Sequence, residues 1–158
     1  MTFAQTHQST EAKPPQVELQ TIRYDKFDFW KKTIDVIAVV SVKNQTAALK
    51  LQDVTYKLKL NDNAVAEGKH DKDIEIPATG EVEIELPFTV DLTSIPGVAW
   101  DAMTESFTLR YEIETEFTVP LFASLKHTQK SSFKGDLPIG EAVYSLSKKF
   151  KERLFGKP

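Results

Sequence analysis

Two rows of glutamates at alternate positions are the first side chains that could do chemistry. They are Glu81, Glu83 and Glu85 and, further along the chain, Glu112, Glu114 and Glu116. A glycosidase-type acid pair needs one carboxyl buried so that its pKa rises. Alternate spacing instead puts each row on one strand face, about 6.8 Å per step, opposite the apolar residues of the same segment. We therefore predict solvated acids that pair across strands with Lys57, Lys59 or Arg110, which disfavours a hydrolase.

Histidines are the other candidates for chemistry. His70 lies with Asp71 and Asp73 in a predicted loop, whereas His7 is near the N-terminus and His127 falls on a weak strand pattern. A hard-cation site needs more oxygen ligands at fixed spacing, so the loop is predicted to be solvated. The chain has no cysteine and only six glycines, scattered singly, which excludes thiolate sites and a Gly-rich phosphate loop. We predict no catalytic residue, no metal and no cofactor.

Charge and length restrict the class of protein further. The 158 residues suit one domain with a sizeable core, and the net charge of −3 does not favour nucleic-acid binding. Residues 141–158 carry five basic and two acidic side chains, whereas the first 140 residues have a net charge of −6. No apolar run is long enough to cross a membrane. Residues 1–16 lack the pattern of a signal peptide and are predicted to form a flexible polar leader.

The segments that carry these side chains alternate between apolar and polar residues, as β-strands do. The clearest runs through Val82, Ile84, Leu86, Phe88 and Val90. Turns are predicted at 61–63 and 78–80, and a last, weaker strand at 123–133. Trp100, in the long connection 93–105, is predicted to plug one end of the core. About seven strands with short turns and no intervening helices predict an antiparallel two-sheet β-sandwich.

Aromatic residues cluster just before the second strand. Phe27, Phe29 and Trp30 could form a carbohydrate-stacking patch. Burial in the core, or over one end of the sandwich, is the favoured interpretation because large aromatic side chains dominate protein cores.

Only the C-terminal segment has helical periodicity. Ile139, Val143, Leu146, Phe150 and Leu154 recur every three or four residues and form one apolar stripe. The residues that could contact a membrane or a partner are Lys148, Lys149, Phe150, Lys151, Arg153 and Leu154. The stripe fits a helix docked on its own domain, which we favour, and it also fits an amphipathic helix on anionic lipid.

The order of these signals carries a family resemblance. A strand ending in Val40–Asn44 is followed by Leu49-x-Leu51 and by Val54-x-Tyr56-x-Leu58-x-Leu60. Val65-Ala66-x-Gly68, Ile76-Pro77-x-x-Gly80 and Ile84-x-Leu86-Pro87-Phe88 come next. The chain resembles the type 2 late-embryogenesis-abundant family, also called the WHy domain, over about Val17 to Pro138. The family's Asn-Pro-Asn corner corresponds to Asn44-Gln45-Thr46, in which only the first Asn matches. We favour a structural turn at this corner over a binding role.

The resemblance implies an immunoglobulin- or fibronectin type III-like sandwich with a helix. The predicted organisation is a leader at 1–16, the sandwich at 17–138 and the helix at 139–156. The resemblance also implies a non-catalytic protein that protects client proteins or membranes during desiccation, freezing or related water stress. Bacterial members are often exported, some as lipoproteins, so we expect either an envelope or periplasmic protein without its signal or a cytoplasmic one. The alternative is an envelope or lipid-surface binding module that acts through the basic helix.

Overall fold

The computed structural model describes residues 14–97, 105–120 and 125–155. Within these ranges the chain forms eight β-strands, one 3-10 helix and one α-helix. The strands are β1 (Gln16–Asp28), β2 (Thr33–Lys43), β3 (Leu49–Leu60), β4 (Asn63–Lys69), β5 (Ile74–Ile76), β6 (Glu81–Asp91), β7 (Leu109–Pro120) and β8 (Lys126–Leu137). The 3-10 helix is Leu92–Ser94 and the α-helix, α1, is Ile139–Phe155. His7, Trp100 and residues 1–13 of the predicted leader lie outside the described residues.

The strands form two antiparallel sheets, which confirms the predicted sandwich. The smaller sheet has the order β1-β2-β6, and the larger has the order β4-β3-β7-β8 with β5 also paired to β3. The additional strand, β5, is only three residues long. The predicted last strand, 123–133, is found at Lys126–Leu137, and positions 123–124 of the prediction lie outside the described residues. Its pattern is weak because it is an edge strand that turns Gln129, Ser131 and Gly135 towards the core side, where they are half-buried.

The core lies between the sheets and consists of the inward-facing apolar residues of both, together with buried residues of the 3-10 helix and α1. Strand β2 runs through the middle of the smaller sheet and is covered on its outer side as well, since Val39 and Ser41 are also buried. There the Gln20 amide donates to the Ser41 hydroxyl at 2.8 Å. Arg23 and Glu85, 2.7 Å apart, join the two flanking strands across β2. These long side chains explain how a strand in a thin sheet keeps a nearly continuous apolar sequence.

The turns after β3 and before β6 use residues in the left-handed region, where a side chain is tolerated best on Asn or Asp. Asn61 and Asp62 have φ of 48° and 68° and connect β3 to β4 as a two-residue hairpin. The predicted turn at 61–63 is therefore one residue shorter, because Asn63 already begins β4. In the turn before β6, Thr79 rather than Gly80 takes the positive φ, at 50°.

Gly68 on β4 lies directly opposite Tyr56 on β3, and the tyrosine ring covers it. A Cβ at position 68 would lie 2.6 Å from the Tyr56 ring, and Tyr56 itself packs edge-on against Phe88 with 5.4 Å between centroids. We expect Gly68→Ala to reduce the free energy of unfolding by about 1–3 kcal/mol through overpacking. Urea unfolding of G68A, Y56L and the double variant measures this. The two losses should be clearly less than additive, and simple additivity would contradict the contact.

Candidate functional site

The corner after β2 is held by Asn44, whose side chain is 1% exposed. The Asn44 Nδ2 donates to the Ala47 carbonyl at 2.6 Å and to the Pro77 carbonyl at 3.1 Å. Its Oδ1 accepts from the Thr46 N–H at 3.1 Å. The Asn44 backbone N–H donates to the Gly80 carbonyl at 2.8 Å. The amide group thus joins the β2–β3 corner to the turn that precedes β6.

This geometry gives the Asn44 side chain a structural role. Both of its amide hydrogens and its oxygen make hydrogen bonds within the protein, and the residue is buried. Gln45 is exposed beside it and Thr46 is half-buried, and the Thr79 N–H donates to the Thr46 carbonyl at 3.0 Å. Two segments that are distant along the chain are therefore fastened to each other at one end of the sandwich.

The glutamate rows lie on the outward strand faces and take part in exposed ion pairs. Glu114 is 3.4 Å from Lys59, as the cross-strand argument predicts. Arg110 pairs with Asp62 at 3.2 Å instead of with a glutamate. Exposed pairs of this kind contribute about 0–1 kcal/mol each, so they shape the charge of the surface more than its stability.

His70 lies in the loop between β4 and β5, as predicted, but it is half-buried because its ring packs against the domain. The ring meets the Tyr56 ring edge-on at 6.3 Å, and Nε2 lies 3.4 Å from the Glu85 carbonyl. Among the described residues, no three His, Asp or Glu side chains come together in a way that could hold a metal ion.

Helix α1 is buried at its beginning and exposed towards its end. Ile139, Ala142 and Val143 belong to the core, and the Gly140 N–H donates to the Phe107 carbonyl at 2.9 Å. The predicted contact residues Lys148, Lys149, Lys151, Arg153 and Leu154 are all exposed, Leu154 by 54%. The side chain of Phe150 lies outside what the structure describes. No helix in the described ranges has the length and hydropathy of a membrane span.

The aromatic cluster at the β1–β2 turn is covered only in part, and the prediction was wrong for Trp30. Phe27 is buried as predicted, and Phe29 packs against the core, but Trp30 is 76% exposed. The tip of the hairpin explains the difference, because Trp30 and Lys31 follow Asp28 in a turn whose two N–H groups donate to the Asp28 carboxylate at 3.0 and 2.9 Å. A signal was present, because an Asp whose carboxylate can accept from backbone N–H groups two residues further on is typical of such a turn.

Tyr24 lies where β1 meets α1, with its hydroxyl buried and without a hydrogen-bond partner among the described residues. Burial, with a smaller effect of the Glu141 carboxylate, raises the pKa of Tyr24 from 10.0 to about 12. Because the folded state favours the neutral phenol, this contribution to stability is complete below pH 10 and is lost as the pH rises through 12.

We expect Tyr24→Phe to keep or raise stability at neutral pH, by up to about 1 kcal/mol, because no hydrogen bond is lost. The loss of stability between pH 10 and 12 should be smaller in the variant. Denaturant unfolding at a series of pH values measures both effects. A variant that is clearly less stable at pH 7 would show that the hydroxyl has a partner.

Comparisons with known proteins agree with this fold. The family model described as late embryogenesis abundant protein, LEA_2, matches residues 39–132, more than half of the chain. The match begins within β2 and ends within β8, so it includes the Asn44 corner. The search of the curated proteins gives no significant match.

Solved structures share the fold at low sequence identity. A candidate late embryogenesis abundant protein solved in solution has a TM-score of 0.63 and 20% identity, covering 85% of this chain and 75% of its own. An Arabidopsis thaliana protein solved in solution has a TM-score of 0.55 and 19% identity over 80% of each chain. A crystal structure of an Archaeoglobus fulgidus protein has a TM-score of 0.52 and 8% identity, covering 76% and 96%. On the strength of the family match, the chain belongs to the LEA_2 (WHy) family of late embryogenesis abundant proteins.

Proposed function

We propose that this protein protects other proteins or membranes during water stress without catalysing a reaction. Membership of the late embryogenesis abundant family is the observation that carries the proposal. The distribution of side chains supports it, because the described acidic rows lie on exposed strand faces and are not gathered in a desolvated cleft.

The outer face of the larger sheet suggests how such protection could work. Lys57 is in register with Glu67 on one side and Glu114 on the other, and Lys130 lies 3.7 Å from Glu116. A face of alternating charges is heavily hydrated and offers both hydrogen-bond donors and hydrogen-bond acceptors. As water is removed, it can replace water at the polar surface of a client, while the balance of charge avoids tight binding.

The test is to dry and rehydrate a labile oligomeric enzyme with this protein, serum albumin or lysozyme at matched mass. We expect the recovered enzyme activity to exceed that with either control. Recovery no better than with albumin would overturn the proposal. A freeze–thaw series with the same additives separates protection against freezing from protection against drying.

A second candidate is a binding module for an anionic lipid surface, acting through the basic end of α1. The exposure of Lys148, Lys149, Lys151 and Arg153 favours it, since the fully buried residues among the described side chains of their helix lie in its first turns. Deleting the helix is a poor test because Ala142 and Val143 are buried. Replacing the four basic residues by glutamine leaves the core intact. Loss of co-sedimentation with anionic vesicles is the expected result, and unchanged co-sedimentation would remove this candidate.

A further inference from the structure

Trp30, at the tip of the β1–β2 hairpin, has the most exposed large apolar side chain among the described residues. Its indole stands edge-on to Phe29 at 5.5 Å, and Phe29 stands edge-on to Phe27 at 6.4 Å. Phe27 is 8% exposed and belongs to the core. The indole therefore packs at the outer end of a row of three aromatic rings whose inner end, Phe27, lies in the core.

The backbone of the tip is fixed as well. Asp28 accepts hydrogen bonds from the N–H groups of Trp30 and Lys31, and the Lys32 N–H donates to the Asp28 carbonyl at 2.8 Å. Lys32 adopts a left-handed conformation, φ 58°, in which its ammonium reaches the Phe29 carbonyl at 2.9 Å and lies 4.4 Å from the Phe29 ring centre. A projecting indole in a fixed turn loses little conformational entropy when it inserts into a partner.

The exposed end of α1 lies beside this tip. An open depression of about 880 Å³ is bordered by Phe29 and Trp30 from the hairpin and by Leu146, Lys149 and Arg153 from the helix. The Lys151 ammonium lies 6.0 Å from the Phe29 ring centre. Two elements more than a hundred residues apart in sequence thus form one surface, which we call the Trp30 surface.

The Trp30 surface is positively charged although the protein is negative overall. Around the depression and the Phe29 ring, the basic side chains are Lys26, Lys31, Lys32, Lys149, Lys151 and Arg153. The acidic ones are Asp25, Asp28 and Asp35. Asp28 is used by the backbone of the tip, and Asp35 accepts from the Thr89 hydroxyl at 2.9 Å. The described lining of the depression therefore has four basic and three acidic side chains, a net charge of +1, and Lys32 and Lys151 beside the Phe29 ring add two further basic groups, on a protein of −3.

We propose that the Trp30 surface docks on an anionic lipid bilayer, with the indole of Trp30 at the headgroup boundary and the basic side chains on the lipid phosphates. This deepens the second candidate function and rests on it. A tryptophan at the projecting tip, with lysines at the same level, suits a flat boundary between apolar chains and phosphates. Charge complementarity supplies the attraction, at about 1 kcal/mol for each basic side chain near the surface. A protein partner would instead have to supply a pocket for the indole and an acidic rim.

The probes are phosphatidylcholine vesicles with and without phosphatidylglycerol. We expect the full-length protein to bind only the anionic vesicles, less strongly as salt is added. Trp30→Ala should reduce the partition coefficient roughly tenfold, because the indole body leaves water on binding. Tyr144→Ala is the matched control, since Tyr144 is 53% exposed on α1 but faces a separate depression with Glu105 and Glu141. It should bind like the wild type.

The emission of Trp30 reports insertion directly. It is obtained as the difference between wild type and Trp30→Phe, because the chain has one other tryptophan, Trp100. On anionic vesicles we expect a blue shift and quenching by brominated acyl chains. Thermal unfolding without vesicles should be the same for Tyr144→Ala and wild type, and Trp30→Ala should unfold at a slightly lower temperature because it loses the edge-on contact with Phe29.

The outcomes distinguish docking through the Trp30 surface from lipid binding through the basic residues of α1 alone. Binding that depends on the basic residues of α1, with Trp30 emission and the Trp30→Ala variant unaffected, overturns the Trp30 surface and leaves the helix proposal standing. Absence of binding to every vesicle overturns both. If the protein bound poly-glutamate but no vesicle, and Trp30→Ala weakened that binding, the surface would be assigned to an acidic polypeptide. That result would overturn the lipid assignment.

Discussion

Replacement of Asn44 by aspartate is expected to lower the free energy of unfolding by about 3–5 kcal/mol, because it buries a charge without a partner. The Asn44 amide nitrogen now donates to two carbonyl oxygens, those of Ala47 at 2.6 Å and Pro77 at 3.1 Å. A carboxylate would place a second acceptor against both, in a site that is 1% exposed. Burial and the facing carbonyls would raise the pKa of the new carboxyl above that of an unfolded aspartate. The variant's loss of stability should therefore be smallest at acidic pH and should grow as the pH rises.

Asn44→Ala separates the lost hydrogen bonds from the charge. It removes three side-chain hydrogen bonds and should cost about 2–4 kcal/mol, with no dependence on pH. Asn63→Ala is the matched control, because the Asn63 amide makes one hydrogen bond, to the Asn61 carbonyl within the hairpin turn, and should cost less than about 1 kcal/mol. Urea unfolding followed by circular dichroism measures all three. Equal stability of N44A and wild type would show that the corner does not depend on this amide.

The Asn44 corner illustrates how far local sequence information reaches. An asparagine between two alternating segments identifies a turn, because Asn bonds nearby backbone. Its second carbonyl partner is Pro77, thirty-three residues away, and no local pattern specifies that contact. The resemblance to the family depended on the spacing of both segments, so it captured the corner even though Gln45 and Thr46 depart from the family's Asn-Pro-Asn.

The limit of local sequence information also explains which expectations about the strands were correct and which were wrong. The sandwich followed from apolar alternation, which reports on which face of a strand meets the core. Strand β8 was placed too early because an edge strand is only partly covered, and Ser131 and Gly135 can then occupy core-facing positions. Trp30 was expected to be covered because aromatic composition was given more weight than the position of a turn. Composition reports the average tendency of a residue type, whereas the Asp28 turn decides where this side chain points.

Helix α1 shows that one apolar stripe can serve two environments. Ile139 and Val143 are buried in the domain, Leu146 is half-buried, and Leu154 at the end of the stripe is 54% exposed. Among the described side chains of the stripe, burial therefore decreases along the helix, and the basic residues lie in the more exposed half. For a whole helix, packing on its own domain and contact with lipid are alternatives. They are compatible when the first half of the helix packs on the domain and the second half is exposed.

Ile139→Ala tests this division and is expected to cost about 2–5 kcal/mol, because Ile139 is fully buried where α1 begins and the substitution leaves a cavity. Leu154→Ala is the matched control in the exposed half and should change stability by no more than about 0.5 kcal/mol. Chemical unfolding gives both values, and limited trypsin digestion under native conditions locates the effect. In Ile139→Ala, cleavage should become faster at the lysines and arginine of α1, whereas sites within β2 and β3 should stay protected, because the helix can detach while the two sheets keep their core. A large loss of stability in Leu154→Ala would mean that the second half of the helix is anchored as firmly as the first, and it would remove the free basic surface on which lipid docking depends.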